Sequence, residues 1–292
     1  MKGLPVDRIR SLVRMAVDED QGPGDITSAL LHGEASSADA ALVARESLVL
    51  CGWEVAREVL AQYHPQLALT VHIADGDPAA AGQSLGRVEG PLVPMLAAER
   101  VVLNFLQRLS GIATLTRRYV EQLQGTQARV FDTRKTTPGW RLLEKYAVRC
   151  GGGNNHRMGL YDAVLVKDNH LAQWGEQWIP KLEALVGEAV TRSSVQFVEV
   201  EVDDLDQFKA VLGISGIDII LLDNMDEEQM KTAVSLRDEV RGSGPAPLLE
   251  ASGAITLENI ASVARTGVDR IAVGAITHSA VAVDIGMDRA GP

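Results

Sequence analysis

Six short apolar runs decide the fold: ARVFDT (128–133), DAVLVKDN (162–169), QFVEVEV (196–202), DIILLDN (218–224), PLLEASG (247–253) and DRIAVGA (269–275). Each ends in polar or small residues, and helical segments lie between several of them: DLDQFKAVLG (204–213), DEEQMKTAVSLRDEV (226–240) and TLENIASVARTG (256–267). Alternation of strand and helix predicts a parallel α/β fold. Six runs, with a candidate seventh around AVRCGG (147–152), point to an incomplete parallel barrel rather than an open nucleotide-binding sheet. No Gly-x-Gly-x-x-Gly opens a helix after the first of them.

Working outward, the stretch from Pro94 to Leu123 reads as one long helix, with Val102, Phe105, Leu106, Leu109, Ile112, Ala113, Val120 and Leu123 on one arc. Arg100, Asn104, Gln107 and Gly111 take the opposite arc, which reads first as a solvated face. Between Ala40 and Glu89 the texture is mixed: ALVARESLVLCG (41–52) and LALTVHIADGD (67–77) resemble strands and WEVAREVLAQY (53–63) a helix. A further amphipathic helix covers 7–17, and Gly22-Pro23-Gly24 ends it in a turn. The expected organisation is an N-terminal α/β sandwich-like domain over 1–113 and a barrel over 114–278, with the tail 279–292 packing back on the first domain.

Composition sets limits. Of 292 residues, 46% are hydrophobic and 23% charged, as in ordinary globular chains, and aromatics are only 4%. Small branched residues in short runs suit a buried parallel sheet. A net charge of −11 argues against general binding to nucleic acid or anionic membranes. Two cysteines, Cys51 and Cys150, are too few for a disulfide framework and lack metal-ligand spacing, so a reduced cytoplasmic setting is expected. The N-terminal stretch has no apolar signal core, and no run approaches the ~18 apolar residues of a membrane span.

Barrel active sites form at the carboxyl ends of the strands. Here those ends read Asp132-Thr133-Arg134-Lys135, Lys167-Asp168-Asn169-His170, Glu199 with Glu201, Asp223-Asn224, Glu250-Ala251-Ser252-Gly253, and Gly274-Ala275. The first two enclose a segment of net charge +3 within the acidic chain. Arg141, Glu144 and Lys145 are expected on a solvated helix face, which leaves Arg134, Lys135, His156, Arg157 and Lys167 as cations for an anionic ligand. Glu199 and Glu201 alternate on one strand and share a face. With Asp223 they could hold a hard cation or sugar hydroxyls, although Glu199 more than Glu201 invites a purely structural reading. Ser252-Gly253-Ala254 and Gly274-Ala275 offer a small-residue cradle for phosphate, with Thr256 placed to open the following helix. Cations, carboxylates and a phosphate cradle together suit group transfer at a phosphorylated sugar. No Ser-His-Asp, Cys-His or zinc spacing is present.

DTRKTTPGWRLLEKYAVRCGGGNNHRMGLYDAVLVKDNH (132–170) resembles the signature block of the quinolinate phosphoribosyltransferases nearly residue for residue. EDQGPGDITS (19–28), AERVVLNFLQRLSGIAT (98–114), VEVEVDDLDQ (198–207), LLDNM (221–225), LEASGAI (249–255) and VGAITHSA (273–280) resemble its other blocks in the same order. The resemblance implies a Mg²⁺-dependent enzyme that joins quinolinate and phosphoribosyl pyrophosphate, forming nicotinate mononucleotide with loss of CO₂. It also implies a homodimer or larger homo-oligomer with shared active sites. Arg134, His156 and Arg157 would grip the two quinolinate carboxylates, with Lys135 and Lys167 near both substrates and Glu199 among the substrate-facing residues. Glu201 and Asp223 would bind Mg²⁺ and the ribose hydroxyls; Lys135, Lys167, Glu201 and Asp223 form the catalytic set. Ser252, Gly253, Gly274 and His278 would surround the 5′-phosphate, and Arg100 would enter the site of a partner subunit. Two residues depart from the family pattern: Ala254 stands where a second glycine is usual, and Asn154 where histidine is frequent. Competing readings are a sister phosphoribosyltransferase acting on nicotinate, a molybdenum-transport-associated relative, a barrel lyase using Lys167 as a Schiff base, and a sugar-phosphate binding protein without activity.

Overall fold

The computed structural model describes residues 5–30, 36–241 and 245–289. The chain opens with α1 (Val6–Gln21), α2 (Ile26–Leu30), β1 (Ser37–Ala44), β2 (Leu48–Val49), α3 (Trp53–Tyr63), β3 (Ala68–Val71), β4 (Pro78–Ala79), β5 (Ser84–Pro91) and α4 (Leu92–Glu121). There follow β6 (Arg129–Phe131), α5 (Arg141–Cys150), β7 (Val164–Val166), α6 (Asp168–Trp174), α7 (Trp178–Ala189), β8 (Val198–Val202), α8 (Leu205–Leu212) and β9 (Ile219–Asp223). The last elements are α9 (Glu227–Arg241), β10 (Leu248–Ser252), α10 (Ile260–Arg265), β11 (Arg270–Ala272), α11 (Ala275–His278) and β12 (Ile285–Arg289).

These elements form two compact units. The first gathers residues 1–117, 137–152 and 279–292. Its antiparallel sheet runs β12-β1-β5-β3, and β12 pairs with β1 from Ala40↔Arg289 to Ala44↔Ile285. The tail also runs along the arc of α4 that read as solvated. Gln107 Nε2 donates to Ile285 O at 2.9 Å, and a methyl built on Gly111 would lie 2.1 Å from Val281 O. Glycine at 111 is therefore a condition of close approach. Residues 137–152, assigned to the barrel from sequence, group with this first unit instead. Phe105 stacks on Trp140 at 4.7 Å, and Glu144 accepts from Thr137 N at 3.1 Å, Thr137 Oγ1 at 2.7 Å and Arg108 Nη2 at 3.2 Å. Glu144 and Lys145, expected in solvent, are both buried. The side chains of Thr137 and Arg108 supply the partners that a buried carboxylate requires.

The second unit holds 118–136 and 153–278. Its six-stranded parallel sheet has the order β6-β11-β10-β9-β8-β7, an incomplete barrel with helices between successive strands. Short Val, Ile and Leu runs, buried along β8 and most of β9, are what a two-sided parallel sheet demands. AVRCGG forms no strand: residues 147–150 complete α5, because Leu143, Ala147 and Cys150 repeat at helical spacing before three glycines end it. The seventh position is instead a single parallel bridge between Phe131 and Asn154 beside β6. Asn154 Nδ2 also donates to Val130 O at 3.2 Å, so this departure from the family pattern serves the backbone.

Candidate active site

Strand register sorts the polar residues into layers. Arg270 pairs with Glu250, Glu250 with Leu221, and Leu221 with Glu201, so all four side chains stand on one face of the sheet. Glu199 lies two residues below Glu201 on β8 and Glu250 two below Ser252 on β10; Glu250 is level with Glu201 in strand register, and it joins Glu199 in the buried cluster through His156.

The deep layer is a buried charge cluster. Glu199 and Glu250 are wholly inaccessible. Arg270 Nε bonds Glu250 Oε2, and its guanidinium lies 3.6 Å from the centre of the Phe131 ring. His156 Nε2 comes within 2.7 Å of Glu199 Oε2, off the line of an ideal hydrogen bond, and within 3.5 Å of Glu250 Oε1. His156 Nδ1 accepts from Arg157 N at 2.8 Å, so the hydrogen-bond pattern places the ring proton on Nε2. Both ring nitrogens thus face protein groups, and the structure turns His156 inward. Burial, followed by the mutual repulsion of the two carboxylates in the case of Glu250, pushes both glutamates up to about 7; Arg270 opposes the shift at each.

Asp132 organises the loop that carries His156. Its buried carboxylate accepts from Asn155 Nδ2 at 2.6 Å and from His156 N at 2.8 Å. Asp162 does the same one turn on, accepting from Met158 N at 2.7 Å and Gly159 N at 3.0 Å. Between these two clamps Arg157 is 7% exposed, and its Nη1 donates to Ala163 O at 3.3 Å. Burial and then the nearby Arg134 lower its pKa from the usual arginine value. The two cations are therefore close enough to repel, a configuration that an anion between them relieves.

The upper layer lies at the carboxyl ends. Lys167 Nζ is 2.7 Å from Glu201 Oε2. Asp223 ends β9 and accepts from Asn224 Nδ2 at 2.7 Å. Burial first, then the charges of Asp168, Asp223 and Asp204, raises the pKa of Asp203, which marks an excess of negative charge at this rim. Lys135, Gly274 and His278 converge: a methyl built on Gly274 would sit 3.0 Å from Lys135 Cδ and 3.2 Å from His278 Nε2. Thr277 Oγ1 donates to Lys135 O at 2.8 Å and fixes that loop against α11. Gly253 has φ +99°, and a methyl there would meet Asn224 Oδ1 at 2.1 Å, so no other residue fits. Arg100 lies in the first unit, exposed on α4.

The expected helix start at Thr256 is not there. Asn259 Oδ1 accepts from Thr256 N at 2.8 Å and its Nδ2 donates to Ala254 O at 3.0 Å. This local side-chain turn delays α10 to Ile260. Ala254 itself has φ +48°, the left-handed conformation that glycine adopts freely. Ala254→Gly is expected to raise folding stability by about 0.5–1 kcal/mol, the relieved strain exceeding the added chain entropy. A higher urea midpoint at unchanged m-value would show it.

Sequence reasoning singled out the strand-end residues but gave Glu250 no role and overlooked Arg270. A carboxylate inside the apolar run PLLEASG is the signal that was available, since burial there requires a partner.

Comparison with known proteins gives concordant similarities. A family model described as quinolinate phosphoribosyl transferase, N-terminal domain, matches residues 25–110, and its C-terminal domain counterpart matches 112–288. A Mycobacterium leprae protein named nicotinate-nucleotide pyrophosphorylase (carboxylating) is 43% identical over 286 residues, covering 97% of each chain. A Nicotiana tabacum protein named quinolinate phosphoribosyltransferase (decarboxylating) 2b, mitochondrial, is 36% identical over 299 residues, covering 97% of this chain and 82% of that one. The solved nicotinate-nucleotide pyrophosphorylase of Francisella tularensis superposes with a TM-score of 0.88 at 39% identity, covering 98% of each chain.

Proposed function

We propose that this chain, which belongs to the quinolinate phosphoribosyltransferase family, transfers the phosphoribosyl group of phosphoribosyl pyrophosphate to quinolinate with decarboxylation. The products are nicotinate mononucleotide, pyrophosphate and CO₂, a step of NAD biosynthesis. The observation that carries the substrate assignment is the buried Arg157, held between the Asp132 and Asp162 clamps with the charge of Arg134 acting on it. Two guanidiniums suit a ring bearing two carboxylates, each taken by paired N–H donors.

In this reading Arg134 and Arg157 orient quinolinate so that its ring nitrogen faces the anomeric carbon. Proximity and alignment supply much of the acceleration. Lys135 and Lys167 offset charge on the departing pyrophosphate, and Glu201 and Asp223 offset positive charge developing on the ribose. Ser252, Gly253, Gly274 and His278 receive the 5′-phosphate. Loss of CO₂ follows because the ring nitrogen, once cationic, stabilises the carbanion left at the adjacent carbon. His156 acts from beneath, its Nδ1 holding the Arg157 backbone, with Glu199 as its support rather than as a substrate contact.

The donor set fits Mg²⁺: Glu201 and Asp223 offer hard carboxylate oxygens at the strand ends, and Asp223, Asp168 and Asp204 act on Asp203 with a mutual repulsion that a divalent cation relieves. Asp223 and Glu201 would hold the ion, which would supply positive charge to offset that of the pyrophosphate. A cytoplasmic homodimer is part of the proposal, with Arg100 of the partner subunit completing each site. No described helix is long and apolar enough to cross a membrane.

The lyase reading is disfavoured by the Lys167–Glu201 contact at 2.7 Å, which directs the lysine nitrogen at a carboxylate rather than towards a carbonyl substrate. Purified protein mixed with quinolinate, phosphoribosyl pyrophosphate and Mg²⁺ is expected to release nicotinate mononucleotide, CO₂ and pyrophosphate in equal amounts. Chelation of the metal should abolish the reaction. Turnover of nicotinate but not quinolinate would keep the fold and overturn the substrate.

A further inference from the structure

The two cysteines lie 99 positions apart in sequence, yet both are buried in the first unit at one point. The sulfur atoms of Cys51 and Cys150 and a carboxylate oxygen of Asp75 all fall within 4.8 Å of one another. We propose that Cys51 and Cys150 are a redox-active dithiol that closes to an intramolecular disulfide in the presence of hydrogen peroxide.

The surroundings hold the pair in place. Cys51 N donates to Ser110 Oγ at 3.0 Å, which ties the segment before α3 to α4. Arg117, also on α4, reaches across the other side: its Nε donates to Gly151 O at 3.0 Å and its Nη2 to Gly76 O at 3.3 Å. The end of α5 is wedged so closely that a methyl on Gly151 would sit 2.5 Å from Ala113 O. Both thiols are thus presented to each other by backbone that other contacts have already fixed.

The chemistry between them is asymmetric. Burial pushes the Cys51 thiol well up, while the neighbouring Cys51, and then Tyr146 and Arg149, lower that of Cys150 against the opposing effects of burial and Asp75. Cys150 is therefore the attacking sulfur. Its thiolate displaces hydroxide from the peroxide, which takes up a proton to leave as water, and becomes a sulfenic acid. Cys51 then attacks that sulfur, gives up its proton, and expels the hydroxyl as a second water. Two thiols and one hydrogen peroxide yield one disulfide and two waters, with two electrons passing to the peroxide.

A thiophilic metal is the alternative occupant, but Asp75 is already committed. Its Oδ1 accepts from Gly52 N at 2.9 Å and Trp53 N at 3.3 Å, and its Oδ2 accepts from Tyr146 O–H at 2.8 Å. Two sulfurs alone make a poor closed site.

The disulfide would close a loop of about a hundred residues and fasten the inserted segment 137–152 to the rest of its unit. The test counts thiols in denaturant after exposing the native protein to hydrogen peroxide. Two reactive thiols are expected before treatment, none after, and two again after dithiothreitol. Proteolysis should yield one cross-linked peptide containing both cysteines, lighter than the sum of its parts by about two mass units. The oxidised protein should melt several degrees higher than the reduced one, and Cys51→Ser and Cys150→Ser should each abolish both the cross-link and the shift. Two thiols surviving peroxide overturn the proposal. So do thiols that react only after a chelator is added, which would assign the pair to a metal. Both outcomes are read on the unaltered chain, so a variant that fails to fold does not obscure them.

Discussion

Replacing Arg157 by lysine lowers kcat/KM for quinolinate by about a hundredfold, an expected loss of about 3 kcal/mol from charge-assisted hydrogen bonds. The reason lies in the geometry rather than the charge, which both residues share. Arg157 is held between the Asp132 and Asp162 clamps, and its Nη1 bond to Ala163 O sets the plane of the guanidinium. Lysine offers one ammonium at the end of a longer rotamer search and cannot reproduce two parallel bonds. The rise should appear in KM for quinolinate, with KM for phosphoribosyl pyrophosphate nearly unchanged. Unchanged quinolinate turnover by Arg157→Lys would remove the basis for a two-arginine grip.

Glu250→Ala is expected to cost about 3–5 kcal/mol of folding stability, because it removes a wholly buried carboxylate and leaves Arg270, whose side chain is only 12% exposed, without its ion-pair partner. Chemical denaturation measures this directly. The conservative Glu250→Gln tests the charge state. A carboxyl that retains its proton up to about 7 in the folded chain, against an ordinary 4.5, gives the native state the extra proton between those values. Native stability from this group therefore falls as pH rises from 4.5 to 7 and is level above. The stability of Glu250→Gln relative to the parent should accordingly improve between pH 5 and pH 8. A difference that does not change with pH would show that the buried pair ionises like carboxylates in water.

Much of this was legible in the sequence because a parallel barrel writes its strands as short apolar runs and its chemistry at their ends. All six runs from ARVFDT to DRIAVGA contain a strand, and the long amphipathic helix lies within two residues of its expected bounds. Lys167, Glu201 and Asp223 reach the same rim because strand order, not sequence distance, sets their separation. The misreadings share a cause. Glu144 and Lys145 look solvated on a helical wheel, and only the tertiary partners of α5 bury them. The strand GMDR near the carboxyl end has no apolar run of its own and forms only because β1 offers an edge. The two cysteines lack any ligand spacing, and their meeting depends on where α5 ends.

The pairing of β12 with β1 also bears on how the chain is made. Ala40 leaves the ribosome early, while its strand partner Arg289 is translated only after nearly all the intervening residues. Throughout synthesis one side of β1 has no strand to bond, whereas every strand of the parallel sheet has been made by Ala272. The nascent chain thus carries an open sheet edge during translation, a template for mispairing between neighbouring chains on one message. The second unit can condense while the first still waits for its closing strand. A ribosome halted shortly before residue 285 would release a chain with its catalytic strands assembled and its first sheet unfinished.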